Sequence, residues 1–371
     1  MAHTRPSEGS ERMRQANSMR RGRRGRRRRA FGAGLVCAAV VVGAATGATP
    51  AFAAKKGKKK VPLVVYSAQG YDQAMVHAFQ AATGIPTKLD TNSTGPLLAQ
   101  IQASKNNPHW GLLWVDGQTA FAELDDEHML VKHFEPKVKW NALGKKVIPK
   151  DESFVPTGIT LMAPIAYTSK VVKNPPRSWS TLLSSRWKGD VGMNTPSQSG
   201  PTYPFIAGMM NYLGSITKGK RYFEKLKANG LVIHTTNGPT VSALASGQIK
   251  IALVQSTAAI GAEHTDPTLK VKYLSPTTML PSNIGIDAKA TKTEIAEAKR
   301  FASFVLSKLG QAVMKTGTPT GDSLYYPVIQ GIKPRPQLPS LSSVKVQHTN
   351  PYVWGPREAS INSWFVNTIT K

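Results

Sequence analysis

Short apolar runs alternate with amphipathic stretches along most of this chain. Residues 61–66 are apolar, residues 67–70 form a polar turn, and Met75, Phe79 and Ala82 recur at helical spacing within 71–83. That order predicts a strand, a loop and a helix. It repeats at once: 87–90 is extended, 92–95 is a polar loop, 96–104 places Leu97, Leu98 and Ile101 on one face, and 111–115 is apolar again. Strands alternating with helices imply a parallel sheet with right-handed crossovers.

A long apolar stretch covers 159–168, and the segment 170–179, which contains Pro175-Pro176, reads as the first crossing into a second lobe. Beyond it, strands are expected at 192–194, 231–234 and 251–255, and helices at 203–213, 221–228 and 241–246. The chain is expected to return through 272–286. A strongly periodic helix follows at 293–308, with Ile295, Ala298, Ala302 and Val305 on its inner face. The expected organisation is one lobe from 61–165 and 280–335, a second from 166–279, and a Pro- and Ser-rich tail, 336–371, packing on the lobes.

Charge changes the picture at the front end. The first sixty residues hold eleven Arg and five Lys against Glu8 and Glu11, so they carry +14 of the formal +27. A nearly continuous arginine run at 20–29 precedes an apolar segment from 30 to about 45, and Ala51-Phe52-Ala53 has the small-x-small pattern that signal peptidase cleaves. Residues 1–53 therefore read as a signal peptide and 54–60 as a basic leader. The expected location is the periplasm or extracytoplasmic cell envelope. Arg28-Arg29 also suits the twin-arginine route, and the sequence leaves the choice of route open. The apolar segment is too short and too rich in Gly and Ala for a membrane span, which needs roughly 20 strongly apolar residues. Gly34-Leu35-Val36 before Cys37 makes a poor lipid-attachment signal. With Cys37 removed, the mature chain has no cysteine, which excludes disulfides, thiol nucleophiles and Cys-ligated zinc. The remaining net charge of +13 is read as a solvated basic surface.

Several strings in this frame resemble the family 1 extracellular solute-binding proteins of ABC importers, the branch with ferric-ion, thiamine, polyamine and aminoethylphosphonate receptors. They include Val64-Val65-Tyr66-Ser67-Ala68-Gln69, Phe79 to Ile85, Ser93-Thr94-Gly95, Leu113 to Gly117, Pro175 to Trp179, Trp187-Lys188-Gly189, Pro196 to Gly200 and Ala243 to Gly247. Each is short, and their shared order carries the resemblance. It implies an α/β, two-lobed periplasmic-binding-protein-like (type II) fold with a hinge and an inter-lobe ligand cleft. It also implies a membrane permease and a cytoplasmic ATPase as partners; no cofactor, no metal, no specific nucleic acid and no catalytic step are expected. A monomer is expected.

Ligands of open α/β sheets sit beyond the carboxyl ends of the strands. Four loops are expected to meet there, giving the candidate ligand-binding residues Ser67, Gln69, Ser93, Thr94, Gly95, Ser199, Gly200, Asn237 and Gly238, together with Asp116 and Thr257. Each loop precedes a helix, so hydroxyls, amides, free N–H groups and the positive helix end could bind an anion without arginine. Ser, Thr and Asn are also the ordinary N-caps of helices, so any single loop also fits simple capping.

The resemblance allows a test for iron. Ferric-binding relatives carry paired tyrosines after the strand matching 251–255, where this chain has Thr257 and Ala258, and a histidine where it has Gly70; only Asp116 matches their carboxylate. Iron is therefore disfavoured, and Tyr325-Tyr326 remains as a different pair that also fits packing. A polyamine or thiamine would need more acids than Asp116. A phosphonate or other small anion or zwitterion, with Asp116 facing an amine, is the preferred ligand. Two strings, Ser215-x-x-Lys218 and Lys315-Thr316-Gly317, hint at a secreted serine acyl-transferase, but no Ser-x-Asn lies between them. A basic polyanion-binding protein is the third alternative, and the expected interleaving of aromatics with basic residues is not found outside the leader.

Overall fold

A computed structural model describes residues 61–318, 321 and 323–371; the expected signal peptide and basic leader lie outside the described residues. The chain opens with β1 (Leu63–Ser67), α1 (Asp72–Thr83), β2 (Thr87–Thr91), α2 (Thr94–Ala103) and β3 (Leu112–Asp116). It continues through α3 (Thr119–Asp126), α4 (Ala142–Val147) and β4 (Phe154–Met162). These elements form because their apolar positions match their periods: α1 buries Met75, Val76 and Phe79, while all five residues of β3 and all nine of β4 are buried.

The second set comprises β5 (Ile165–Thr168), β6 (Val191–Asn194), α5 (Thr202–Tyr212), α6 (Ile216–Ala228), β7 (Val232–His234), α7 (Asn237–Ala245), β8 (Ile251–Leu253), α8 (Ser256–Thr265) and β9 (Leu269–Lys272). The chain returns through β10 (Thr277–Ile286), α9 (Lys292–Val305) and α10 (Lys308–Thr316). It ends with β11 (Val346–Gln347), α11 (Pro351–Trp354) and α12 (Glu358–Phe365).

Two sheets result. The first has the order β11-β10-β3-β1-β2, with β4 on β10, and the second the order β7-β6-β8-β5-β9. Each has a parallel core of three strands, β2-β1-β3 and β7-β6-β8. The expectation of simple parallel sheets fails at β10, β4 and β5, which pair antiparallel with their neighbours. These strands carry the chain out of one sheet and back, so their direction follows from the need to cross twice. Residues 163–164 link β4 to β5 and residues 273–276 link β9 to β10; Met162 lies opposite Thr278, so the two crossings run side by side. The segment 170–179 follows β5, so the chain has already reached the second sheet before it.

Each sheet packs its own aromatic core. In the first, Trp114 meets Tyr71 at 5.1 Å and Phe301 at 5.9 Å, and Phe301 meets Phe79 at 5.0 Å, all edge to face. In the second, Phe205 packs on Trp179 and Phe223. The tail joins both: β11 pairs with β10 of the first sheet, whereas Ile361, Phe365 and Ile369 enter the second core. Phe365 lies 5.7 Å from Phe223, and the Tyr203 hydroxyl donates to the Trp354 carbonyl.

The lobes also touch directly. The Gly95 N–H at the start of α2 donates to the Gln198 carbonyl at 3.3 Å. A Cβ on Gly95 would lie 2.1 Å from the Ser197 carbonyl oxygen, and one on Gly200 would lie 2.3 Å from Thr94 Oγ1. Backbone faces backbone at Gly95, so no side chain can swing away to make room. Gly95→Ala is therefore expected to hold the lobes apart, raising the radius of gyration in small-angle X-ray scattering while leaving the circular dichroism of the folded chain unchanged. Equal radii for the two proteins would contradict this packing.

Candidate functional site

The carboxyl ends of β1, β3, β6 and β8 all point to the gap between the sheets, and a cavity of about 550 Å³ lies there. Ser93 and Thr94 of the first lobe line it, with Asp116 at its floor; the second lobe contributes Ser199, Gly200, Asn237 and Gly238. The structure brings these seven candidates together at the cavity. Four others are not on its wall. Ser67 is buried and its Oγ accepts from the Gln69 N–H, closing the turn after β1. Gln69 is buried behind the wall and reaches Asp116 instead. Gly95 is taken up by the contact with Ser197 and Gln198. Thr257 is buried away from the cavity, because α8 turns a different face to it: Ala258, Gly261, Ala262 and Thr265, spaced by three, one and three residues, line the wall.

Asp116 ends β3 and is the hub of a hydrogen-bond network across the two lobes. Its Oδ1 accepts from Gln69 Nε2 at 3.1 Å and its Oδ2 from Gln255 Nε2 at 2.7 Å, and the Tyr325 hydroxyl donates to both oxygens, at 3.3 and 3.0 Å. Gln255 ends the apolar run of β8, so its amide crosses from the second lobe to the first, where it also donates to Thr160 Oγ1. Its Oε1 accepts from Asn237 Nδ2, and Asn237 Oδ1 accepts from Asn194 Nδ2 at 2.8 Å. Asn194 Nδ2 also donates to Ser199 Oγ, and Asn194 Oδ1 accepts from the Thr240 hydroxyl. The chain of bonds thus runs from Tyr325 to the loop before α5.

Burial raises the Asp116 carboxyl above the usual carboxylate range, even though Gln69, Gln255, Tyr325 and Ser282 all hydrogen-bond it. Among the described residues, Asp116 has no ion-pair partner. Among the described residues neither Lys nor Arg lines the cavity, and its charged lining residues are Asp116 and Asp266.

Helices α2, α5, α7 and α8 start at this cavity, after Ser93, Pro201, Thr236 and Gln255. None of the four has a side-chain cap. By contrast, Asn141, Ser215, Thr291, Ser307 and Asn350 cap α4, α6, α9, α10 and α11 with their side chains. Helices α1, α3 and α12 also lack side-chain caps, so convergence on one cavity, and not the missing cap alone, distinguishes the four. Their first N–H groups and positive dipole ends form a field that favours negative charge. The Ser215 hydroxyl, considered above as a nucleophile, accepts from the Lys218 backbone N–H as an ordinary cap.

Sequence reasoning missed Gln255, Asn194 and the α8 face, and it weighed Tyr325 toward packing. Gln255 carried a readable signal: a polar residue closing the apolar run 251–254, as Asp116 closes the run 112–115. Tyr325 carried none, since its bond to Asp116 spans 209 residues. Tyr325 and Tyr326 do not act as a pair. The Tyr326 hydroxyl donates to the Pro339 carbonyl at 2.7 Å, because successive residues of an extended segment point to opposite sides. Among the described residues, no group of three or more His, Cys, Asp or Glu side chains is arranged to hold a metal ion.

Comparison with known proteins fits this geometry. The provisionally named 2-aminoethylphosphonate-binding periplasmic protein of Salmonella paratyphi A is 23% identical over 262 residues, covering 67% of this chain and 75% of that one. The periplasmic binding protein AfuA of Actinobacillus pleuropneumoniae, solved with exogenous fructose-6-phosphate, superposes with a TM-score of 0.75 at 19% identity, over 84% of this chain and 99% of that one. Iron-bound HitA of Pseudomonas aeruginosa gives a TM-score of 0.68 at 19% identity, over 82% and 98%. The fold is therefore the two-lobed one of periplasmic binding proteins. Among the described residues no helix is long and apolar enough to cross a membrane. The family model for bacterial extracellular solute-binding proteins matches residues 74–340, and the chain belongs to that family, whose members serve ABC transporters outside the cytoplasmic membrane.

Proposed function

We propose that this receptor captures a small zwitterion that carries a phosphonate or phosphate group and an amine. One observation carries the reading: four helix N-termini without side-chain caps converge on a cavity that, among the described residues, is lined by neither Lys nor Arg. Such a site favours an anion through backbone N–H groups and hydroxyls, at a cost in desolvation smaller than a buried guanidinium would need to offset. The Asp116 carboxylate supplies the opposite pole for an ammonium group. The name of the Salmonella relative supports this polarity, and the sugar phosphate bound to AfuA supports its anionic pole.

Ferric iron is the weaker reading. The hydroxyls of Tyr325 and Tyr326 point apart, Ala258 lines the wall, and the cavity's two carboxylates, Asp116 and Asp266, are not part of any cluster arranged to hold a metal ion among the described residues. Hard Fe³⁺ would lack a pair of converging phenolates. In this proposal the chain works as a monomer without a catalytic step and without a nucleic-acid partner. Lobe closure on the ligand is what the permease recognises.

A thermal-shift panel checks the ligand class. At a hundredfold excess over Kd, 2-aminoethylphosphonate is expected to raise the melting temperature by roughly 5 °C, with Fe³⁺ and spermidine giving no shift. Asn237→Ala is expected to reduce that shift to below about 2 °C. A shift with Fe³⁺ or spermidine alone would refute the zwitterion.

Asp116 gives a second, pH-based test. Its folded carboxyl titrates above the unfolded value of about 3.9, so the native state binds the proton more tightly. The associated stability is present at low pH and is lost as pH rises through the folded value. The advantage of wild type over Asp116→Asn in urea unfolding should therefore be greatest near pH 4 and shrink toward pH 7.5. A difference that stays constant over this range would show that the carboxyl is not shifted upward.

A further inference from the structure

Helix α6 presents a strongly one-sided charge: five Lys and Arg against Glu224. Residues 176–189 and 202–230, which hold α5, α6 and the loop packed beneath them, contain eight Lys and Arg and one acid, Glu224. This net +7 is more than half of the +13 carried by residues 61–371. None of the ion pairs among the described residues involves α6. Its inner face buries Tyr222, Phe223 and Leu226. Two of its cations are occupied by the tail, Lys227 on the Thr368 carbonyl and Lys220 over the Trp364 ring. Three others, Lys218, Arg221 and Lys225, are exposed and lie on one side, spaced by three and four residues.

Those three form one wall of a groove of about 330 Å³ with an apolar floor that includes Trp179, Leu183 and Leu213. At its rim stands Tyr212, 47% exposed. None of these residues lines the ligand cavity. Loop 184–188, with Arg186 and Lys188, extends the basic face, since the Asn229 amide at the end of α6 donates to the Ser184 carbonyl.

We infer that the α6 face of the second lobe docks on an anionic phospholipid surface. A row of cations beside an exposed tyrosine and an apolar groove suits a membrane interface, where phosphates meet the cations and an amphipathic ring sits at headgroup level. A nucleic acid would need several aromatic faces free for stacking, but Trp179 and Tyr222 are buried at 2% and 4% exposure. Such docking would keep the loaded receptor close to the plane in which its permease lies.

Sedimentation of the full chain with vesicles in 0.1 M salt tests this. One variant carries Lys218→Glu, Arg221→Glu and Lys225→Glu. A control makes the same net change on exposed first-lobe residues, with Lys88→Glu, Lys105→Glu and Lys308→Glu. Both keep the same basic front end, so its contribution cancels in the comparison. On vesicles of equal phosphatidylglycerol and phosphatidylcholine, the α6 variant is expected to partition at least about tenfold more weakly than the control. Tyr212→Ser, which changes no charge, is expected to weaken partitioning a few-fold. Both triple variants should keep the wild-type melting temperature and the wild-type shift with 2-aminoethylphosphonate. Equal partitioning of the two triple variants would overturn the inference. So would release from the vesicles by polyglutamate at an equal concentration of negative charge, which would assign the face to an acidic polypeptide.

Discussion

The hydrogen bond from Gln255 Nε2 to Asp116 Oδ2, at 2.7 Å, joins the ends of two strands that belong to different sheets. Both groups are buried, and a buried carboxylate without a cation is tolerated only where every lone pair finds a donor. Gln69 and Tyr325 complete that shell from the first lobe. On the other side, Gln255 is oriented by Asn237, and Asn237 by Asn194. The position of the α7 N-terminus relative to the first lobe is thereby tied to one carboxylate. A ligand that changes the environment of Asp116 acts on the relation between the lobes as well as on its own binding energy.

The fold makes this arrangement available. Side-by-side crossings at 163–164 and 273–276 leave the sheets linked by short connections, with strand ends facing the gap. Glycine at 95 and 200 lets backbone approach where any Cβ would collide. The tail adds a third connection, with β11 in the first sheet and Phe365 in the second core. Motion of one lobe against the other must therefore be absorbed by few residues, as in hinge closure.

The first half of the fold was legible because β1 through β3 alternate with amphipathic helices that keep strict spacing. The switch between sheets was not, because 159–168 is mostly apolar: β4 and β5 are buried almost everywhere, so hydropathy cannot mark where one sheet ends. Helix α8 was missed for a related reason, since its Ala- and Gly-rich face turns toward the cavity and leaves no apolar stripe. At the site, the loops were readable from Ser, Thr, Asn and Gly before helices. Their reading as ligand groups gains support because the cavity-facing helices lack side-chain caps, while Ser215, Thr291 and Ser307 elsewhere serve as caps. Thr257 was misplaced because a strand extended to 255 hides where the helix begins, and one residue of offset turns a helical position by about 100°. Tyr325 and Gln255 depend on tertiary approach and are visible only in the folded chain.

In the proposed complex a small ligand is held between the helix N-termini of α2 and α7 and the Asp116 carboxylate. A crystal structure of the protein saturated with 2-aminoethylphosphonate tests it most directly. Phosphonate density is expected within hydrogen-bond distance of the Thr94 and Gly238 N–H groups, with the amine within hydrogen-bond distance of Asp116. Density elsewhere on the surface with the cleft unchanged, or a phosphonate group against Asp116, would contradict it.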